Sequence, residues 1–382
     1  MYALVLSGGG AKGSYQIGVW KALRELKVDV SLVVGTSVGA LNGAFFAQNQ
    51  YEEAYNMWSN IKMKNVFEFD ENLLDEINKI REEGFSTLNL KMIKQPLEKI
   101  IKDRGIDITP LRQMIDHFLD EDIIRKSNID FGFVTFSITE RKPLKLFLED
   151  IPYGELKYYL MGSASVPGFS PDKEDNKRFI DGGIYDNFPI KMAIEKGYKE
   201  IIAVSLKPKR LKRYCGVDVT YIHPSNRLGS FLYFNKERSL INMEMGYLDA
   251  LKAFDKLKGI NYYFYNLPSE KEIFYCLNSL KEDEIKTITR LSIHRECLNH
   301  RILFEEAIPI LSKIVSSSKK ETYEDFILFI SEYIAKELDV ERLVKYDFYE
   351  FLKIINSHEI DNNSLNYAII VILNALYRKL HA

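Results

Sequence analysis

The chain has 382 residues, 46% of them hydrophobic and 28% charged, with a formal net charge of −2 at pH 7. That is a folded chain with room for a large core, and it lacks the basic excess of a nucleic-acid binder. Its three cysteines, Cys215, Cys276 and Cys297, show no Cys-x-x-Cys or Cys/His ligand spacing, which argues against a zinc site and predicts reduced thiols. No secretory signal pattern opens the chain and no apolar run reaches membrane-spanning length, so the expectation is a cytoplasmic protein able to work at a membrane surface.

Tyr2–Leu6 is a short apolar run ended by Ser7 and three glycines, and reads as a buried strand. Ser14–Leu26 places Tyr15, Ile17, Val19, Trp20, Leu23 and Leu26 among Lys21, Arg24 and Glu25, a helical pattern. Val28–Val34 is a second β-branched run, stopped by Gly35-Thr36-Ser37-Val38-Gly39, and Ala40–Gln48 is helical again. Strand, glycine turn, helix, strand, sharp turn, helix is the sequence of an α/β domain with a parallel sheet. Tyr51–Arg125 is rich in helix formers, with Thr109 expected to cap a helix and Pro110 in its first turn. Phe131–Ile138 and Lys145–Leu148 are further strand candidates, and a helix over Pro189–Lys196 leads to a strand at Ile201–Leu206.

After about residue 260 strand-like runs thin out. Phe326, Ile327, Phe329, Ile330, Tyr333 and Ile334 form one helical stripe and Tyr367–Leu376 another, with a loop expected at Ser316–Lys320. The division read from the sequence is a catalytic domain over 1–257, in which 51–125 forms a helical cap or a layer packed on the sheet, and a helical region over 258–382. No repeat of fixed period is present.

Two motifs fall at strand ends, where open α/β sheets place their active sites. The loop Gly8-Gly9-Gly10-Ala11-Lys12-Gly13 can turn several backbone N–H groups to one point at a helix start, suiting a phosphate or the oxyanion of acyl transfer. Its letters also fit a dinucleotide fingerprint, but the acid that should end the second strand, Asp29, begins it. No Gly-Lys-Ser/Thr closes the loop as a nucleoside triphosphate site requires. Gly35-Thr36-Ser37-Val38-Gly39 fits the Gly-x-Ser-x-Gly nucleophile elbow in its strand–turn–helix context, with Ser37 strained and exposed. A serine needs a base. None of the six histidines, His117, His223, His294, His300, His358 and His381, sits in a motif at a strand end. Asp181-Gly182-Gly183 follows the short run Arg178-Phe179-Ile180 and can aim a carboxylate into a site, or serve as a tight turn.

Together these blocks resemble the patatin-like phospholipase family: the glycine loop Gly8–Gly13, with Lys12 where the family carries Arg or Lys, the elbow Gly35–Gly39, and Asp181–Gly183. Ser163-Ala164-Ser165-Val166-Pro167-Gly168-Phe169-Ser170-Pro171 resembles the small-residue segment before that aspartate, and Asp186-Asn187-Phe188-Pro189, Ile201–Leu206 and His223-Pro224-Ser225 fit the bacterial-type members. The resemblance spans roughly residues 1–255. It implies a three-layer fold with a mostly parallel central sheet, a Ser37–Asp181 dyad without histidine, and an oxyanion hole from Gly8–Gly13, with N–H groups of Gly9, Gly10 and Ala11 as donors. Gly35, Gly39, Gly182 and Gly183 would support the two catalytic turns. It further implies a lipid acyl-ester substrate and neither metal nor organic cofactor. Acyl transfer or thioester hydrolysis at the same dyad, and lipid binding without catalysis, are the alternatives.

Overall fold

The structure is a computed structural model that describes residues 1–68, 107–165, 179–207, 212–315, 322–358 and 361–380. The chain divides into two compact units, Met1–Ala253 and Phe254–Ala382.

The first unit is built on β1 (Tyr2–Leu6), β2 (Val30–Thr36), β3 (Asp130–Ser137), β4 (Lys142–Phe147), β5 (Phe179–Asp181), β6 (Glu200–Val204) and β7 (Asp218–Ile222). Their order is β4-β3-β2-β1-β6-β7, with β5 also beside β3. Pairs among β3, β2, β1, β6 and β7 are parallel, while β4 and β5 run antiparallel to β3. β1 lies at the centre and is apolar on both faces, as a strand covered from both sides must be. Ala3, Val5, Leu32, Val34, Ile201 and Ala203 meet the helix Ile190–Glu195 on one face. On the other, α2 (Val38–Ala47) brings Gly43 against Val33 and Phe131. The fold is the expected mixed α/β architecture with a mostly parallel sheet.

Several boundaries differ from the sequence reading, each for a local reason. β2 starts at Val30 because the Val28 N–H donates to the Leu23 carbonyl (2.9 Å) and closes the end of α1 (Ser14–Glu25). Thr109 is the first helical residue of Thr109–Phe118 rather than its cap; its N–H donates to Asp107 Oδ1 at 2.7 Å. The edge strand β4 begins at Lys142, earlier than its apolar run suggests. β7 and the helix Lys236–Ala253 were not expected. That helix crosses α1 where Gly18 faces the Met243 carbonyl and Gly246 the Tyr15 carbonyl, so close that a methyl group at either glycine would collide with backbone. The expected loop at Ser316–Lys320 and the segment Val166–Pro171 lie outside the described residues, as does much of 51–125; its described part contains α3 (Tyr51–Asn60) and the helices Thr109–Phe118 and Glu121–Lys126. No described helix is long and apolar enough to cross a membrane.

The second unit packs helices around one apolar core that includes Ile273, Ile288, Phe326, Phe351 and Leu373. Both sequence stripes contribute to it: Phe326, Ile327, Ile330 and Ile334 on Tyr323–Glu337, and Ile369, Ile372, Leu373 and Leu376 on Leu365–Leu380. A short parallel pair, Tyr263–Tyr265 with Lys345–Asp347, was not expected in this helical region. Glu332 is buried, and its carboxylate accepts the backbone N–H groups of Ile260, Asn261 and Tyr262. Those N–H groups would be stranded by truncation of the side chain, so Glu332→Ala should destabilise the protein by about 3 kcal/mol, measured by urea titration of the full chain; a change within error would show that water replaces the carboxylate.

Candidate active site

Ser37 stands between β2 and α2 with φ 56° and ψ −128°, a left-handed conformation costly for a side chain with a Cβ. The turn is possible because its flanks lack side chains. A methyl group on Gly35 would meet the Gly39 carbonyl, and one on Gly39 would meet the carbonyls of Leu6 and Ser7 at the end of β1. The strain expected of the elbow is present, but the expected exposure is not: Ser37 is only 7% exposed, beneath a cavity rather than on the surface.

Asp181 reaches the serine through the register of β3. Thr36 pairs with Val134, and where β2 ends, β5 takes over alongside β3, pairing Asp181 with Thr135. Residues consecutive on β3 thus set the Ser37 turn and Asp181 side by side. The end of the helix Leu156–Ala164 holds both. Ser163 Oγ accepts the Ser37 N–H (3.1 Å) and donates to the Val134 carbonyl (2.7 Å), while the Ser165 carbonyl accepts the Asp181 N–H (2.7 Å). Asp181 is 8% exposed. Burial raises its carboxyl above the ordinary aspartate value, opposed by a side-chain hydrogen bond with Ser37 and by the N–H of Gly183, which donates to Asp181 Oδ1 at 2.7 Å.

The glycine loop divides its donors. The Gly8 N–H goes to the Asn187 carbonyl (3.1 Å), that of Ala11 to the Phe231 carbonyl (2.8 Å), and that of Lys12 to Gly9 (3.3 Å). Among the described residues the N–H groups of Gly9 and Gly10 have no such acceptor, which narrows the expected three donors to these two. Gly13 closes the short 3-10 turn Gly10–Gly13. A buried polar chain fixes the loop to α2. Trp58 Nε1 donates to Asn42 Oδ1 (3.0 Å), Asn42 Nδ2 donates to the Gly13 carbonyl (2.9 Å) and to Gln16 Oε1 (2.8 Å), and Gln16 Nε2 donates to the Ser7 carbonyl (2.8 Å). Asn187 completes the frame: its Nδ2 donates to the Gly8 carbonyl at 3.2 Å, tying the loop to the turn after Asp181. The sequence reading quoted Ser163 and Asn187 in their blocks without a role; Asn42, Phe231 and Lys207 carried no signal beyond their neighbours.

Over Ser37 and Asp181 lies a cavity of about 380 Å³. Its walls are mostly apolar, with Leu41 and Phe45 of α2, Trp58 of α3, Phe118, Leu160 and Phe231 among them. Gly8, Gly9, Gly10, Lys12, Gly183 and Asn187 also line it, whereas Ala11, Gly13, Gly35, Gly39 and Gly182 stand behind as backbone support. No described histidine lines it.

A sheet with this register and this serine turn belongs to a recognisable class. The family described as patatin-like phospholipase matches residues 4–194, from β1 through the glycine loop, the Ser37 turn and Asp181 to the helix that follows, and the chain belongs to that family. Within it, the chain is 30% identical over 207 residues to the mouse patatin-like phospholipase domain-containing protein 7, and 28% identical over 207 residues to the human patatin-like phospholipase domain-containing protein 6; each match covers 53% of this chain and 13% of the other protein. A 46-residue stretch is 52% identical to lysophospholipase nte1 of Aspergillus terreus, covering 12% of this chain and 3% of that protein. The crystal structure of VipD from Legionella pneumophila is similar with a TM-score of 0.38 at 15% identity, covering 100% of this chain and 85% of that one.

Ser163 is fully buried between the Ser37 N–H and β3. Ser163→Ala leaves two buried backbone groups without a partner and should cost about 2 kcal/mol of stability. It should also lower kcat for an ester about tenfold, because the Ser37 turn is no longer held in its strained conformation. Thermal unfolding and steady-state kinetics of the purified variant test both, and wild-type kcat would show that the turn holds itself.

Proposed function

We propose that this chain is a serine hydrolase of lipid acyl esters that works through a Ser37–Asp181 dyad. The observation that carries the reading is that Ser37, on its strained turn, and the buried carboxylate of Asp181 sit together at the base of one apolar cavity, beside two backbone N–H groups that have no acceptor among the described residues. The family supports a lipid hydrolase, and the relatives named phospholipase and lysophospholipase support an acyl-ester substrate.

In this reading Ser37 Oγ attacks the ester carbonyl carbon as its proton passes to Asp181. The carbonyl oxygen takes up negative charge and lies against the N–H groups of Gly9 and Gly10. Ser37 is also the N-cap of α2, so the positive end of that helix faces the same charge. The intermediate collapses, the alcohol leaves with the proton held by Asp181, and the acyl group remains on Ser37. Water then attacks the acyl-enzyme while Asp181 takes its proton, and the fatty acid leaves as Ser37 regains its hydrogen. A carboxylate is a weak base for an alcohol; burial of Asp181 raises its proton affinity and the donors stabilise the oxyanion, so the two devices depend on each other. Every residue invoked precedes residue 257, the limit of the expected catalytic domain. The described part of 51–125 supplies cavity wall, which supports its reading as a cap over the acyl chain.

Ser37→Ala and Asp181→Asn should each lower ester hydrolysis by at least about a thousandfold, and a fluorophosphonate probe should label wild type at Ser37 and neither variant. Strong residual hydrolysis in both variants would remove the dyad. The acidic limb of kcat/KM should fall above the ordinary aspartate range, since Asp181 must be ionised to act as base. The same raised value fixes a stability test. Between the ordinary and the raised value the folded chain holds a proton that the unfolded chain releases, so stability present at low pH is lost as pH rises through that window. Asp181→Asn removes this penalty, and its Tm at neutral pH should equal or exceed that of wild type; a fall of several degrees would make the carboxylate a structural group.

A further inference from the structure

The polarity of the cavity over Ser37 has a direction. The charged residues that line it, Lys12, Asp181 and Lys207, lie in the glycine loop or at and just after strand ends. The α-helices that line it contribute no charged side chain. α2 presents Val38, Leu41, Phe45 and Gln48, spaced three or four apart and therefore on one face. The helix Thr109–Phe118 presents Leu111, Met114, Ile115 and Phe118 with a similar spacing. The cavity thus continues as a channel from Ser37, the N-cap of α2, along that helix to its C-cap, Gln48.

Two measures of the channel agree. From Ser37 to Gln48 the helix advances about 16 Å. That is the length of an extended chain of about twelve carbons, each adding about 1.3 Å. The cavity volume of about 380 Å³ also holds about twelve methylenes, if each takes roughly the 30 Å³ of a water molecule. Protein cores contain few voids larger than a water, so an apolar channel of this size beside a strained serine is a site and not loose packing.

The far end has a built wall. The Phe45 ring lies against the Phe118 ring, with centroids 5.5 Å apart. Gln48 Oε1 accepts the Asp120 N–H at 2.8 Å and Gln48 Nε2 donates to the Ala44 carbonyl at 3.2 Å. The buried amide thereby ties the end of α2 to the turn after Phe118, with both its oxygen and its nitrogen hydrogen bonded. Beyond Phe118 lies a second cavity of about 370 Å³, with Asn60, Lys64 and Gln113 in its walls. Met57, Ile61, Met114 and Phe118 line both cavities and form the partition between them.

We propose that the α2 channel gauges the acyl chain of the substrate. It takes a chain of about twelve carbons with the ester at Ser37, and Phe118 sets the limit. The placement of the ester rests on the hydrolase reading, but the limit on chain length is tested by binding, without turnover.

The measurement is titration of monoacylglycerols from about six to about eighteen carbons, each below its micellar concentration, into the full-length Ser37→Ala protein. Affinity should rise about fourfold per added carbon up to about twelve, then level off or fall. Adding Phe118→Ala opens the partition and should carry the rise on to about sixteen carbons. Adding Leu41→Trp instead narrows the channel one turn from Ser37 and should move the break the other way, to about eight carbons or fewer. Shifts in opposite directions cannot come from a general loss of stability. Should Phe118→Ala not fold, Phe118→Leu makes the same test with a smaller shift. Hydrolysis of the same monoacylglycerols by wild type, run alongside, reports on the hydrolase reading separately. A break that the folded Phe118 variant leaves in place, or an unbroken rise to about eighteen carbons without it, would overturn the gauge.

Discussion

The change of partners along β3 is the constraint on which the site depends. Up to Val134 this strand is paired with β2, which delivers Ser37; from Thr135 it is paired with β5, which delivers Asp181. Backbone ladders are among the most rigid connections available to a chain, and a slip of one residue would turn Asp181 to the opposite face. The helix Leu156–Ala164 reinforces the junction, since its last turn and the residue after it hold the N–H groups of both. Ser37 and Asp181 are therefore placed by main chain, with few side-chain torsions left to adjust.

A second frame holds the glycine loop. Asn42 is almost wholly buried and bonds to Gly13, Gln16 and Trp58, so the helix that starts after Ser37 also fixes the far end of the loop. Gln16 and Asn187 fix the near end through the carbonyls of Ser7 and Gly8. Buried polar groups of this kind are costly unless every member is satisfied, and when satisfied they specify one arrangement. Here they leave two N–H groups of the loop without an acceptor among the described residues, in a setting where nearly all buried donors find one. That imbalance distinguishes a site from a turn.

The sequence made the local parts of this legible. A glycine loop after an apolar strand and a serine between glycines are patterns of a few residues, and β1, α1 and α2 lie close to where hydrophobic periodicity puts them. The union of Ser37 with Asp181 was available only through resemblance to a family, because it arises from pairings between strands some hundred residues apart. The Ala11 N–H looked like a free donor because nothing near it in sequence announces that the Phe231 carbonyl will take it. β7, a short edge strand reading Asp-Val-Thr-Tyr-Ile, was lost because its half-polar alternation is weak beside the apolar run of β6. Thr109 falls one position inside its helix, after the N-cap Ile108, and its own N–H is taken by the Asp107 side chain.

The hydrogen bond from Ala11 to Phe231 also has a bearing on biosynthesis. The Ser37 turn is synthesised before Phe231, and the glycine loop beside it is anchored by that acceptor, more than two hundred residues downstream of Ala11. Contacts this distant in sequence form late, after the intervening chain has been made and has folded back. A nascent chain that carries Ser37 but not yet Phe231 has its serine without the finished loop beside it. The order of synthesis thus keeps the candidate site unassembled until nearly the whole first unit exists.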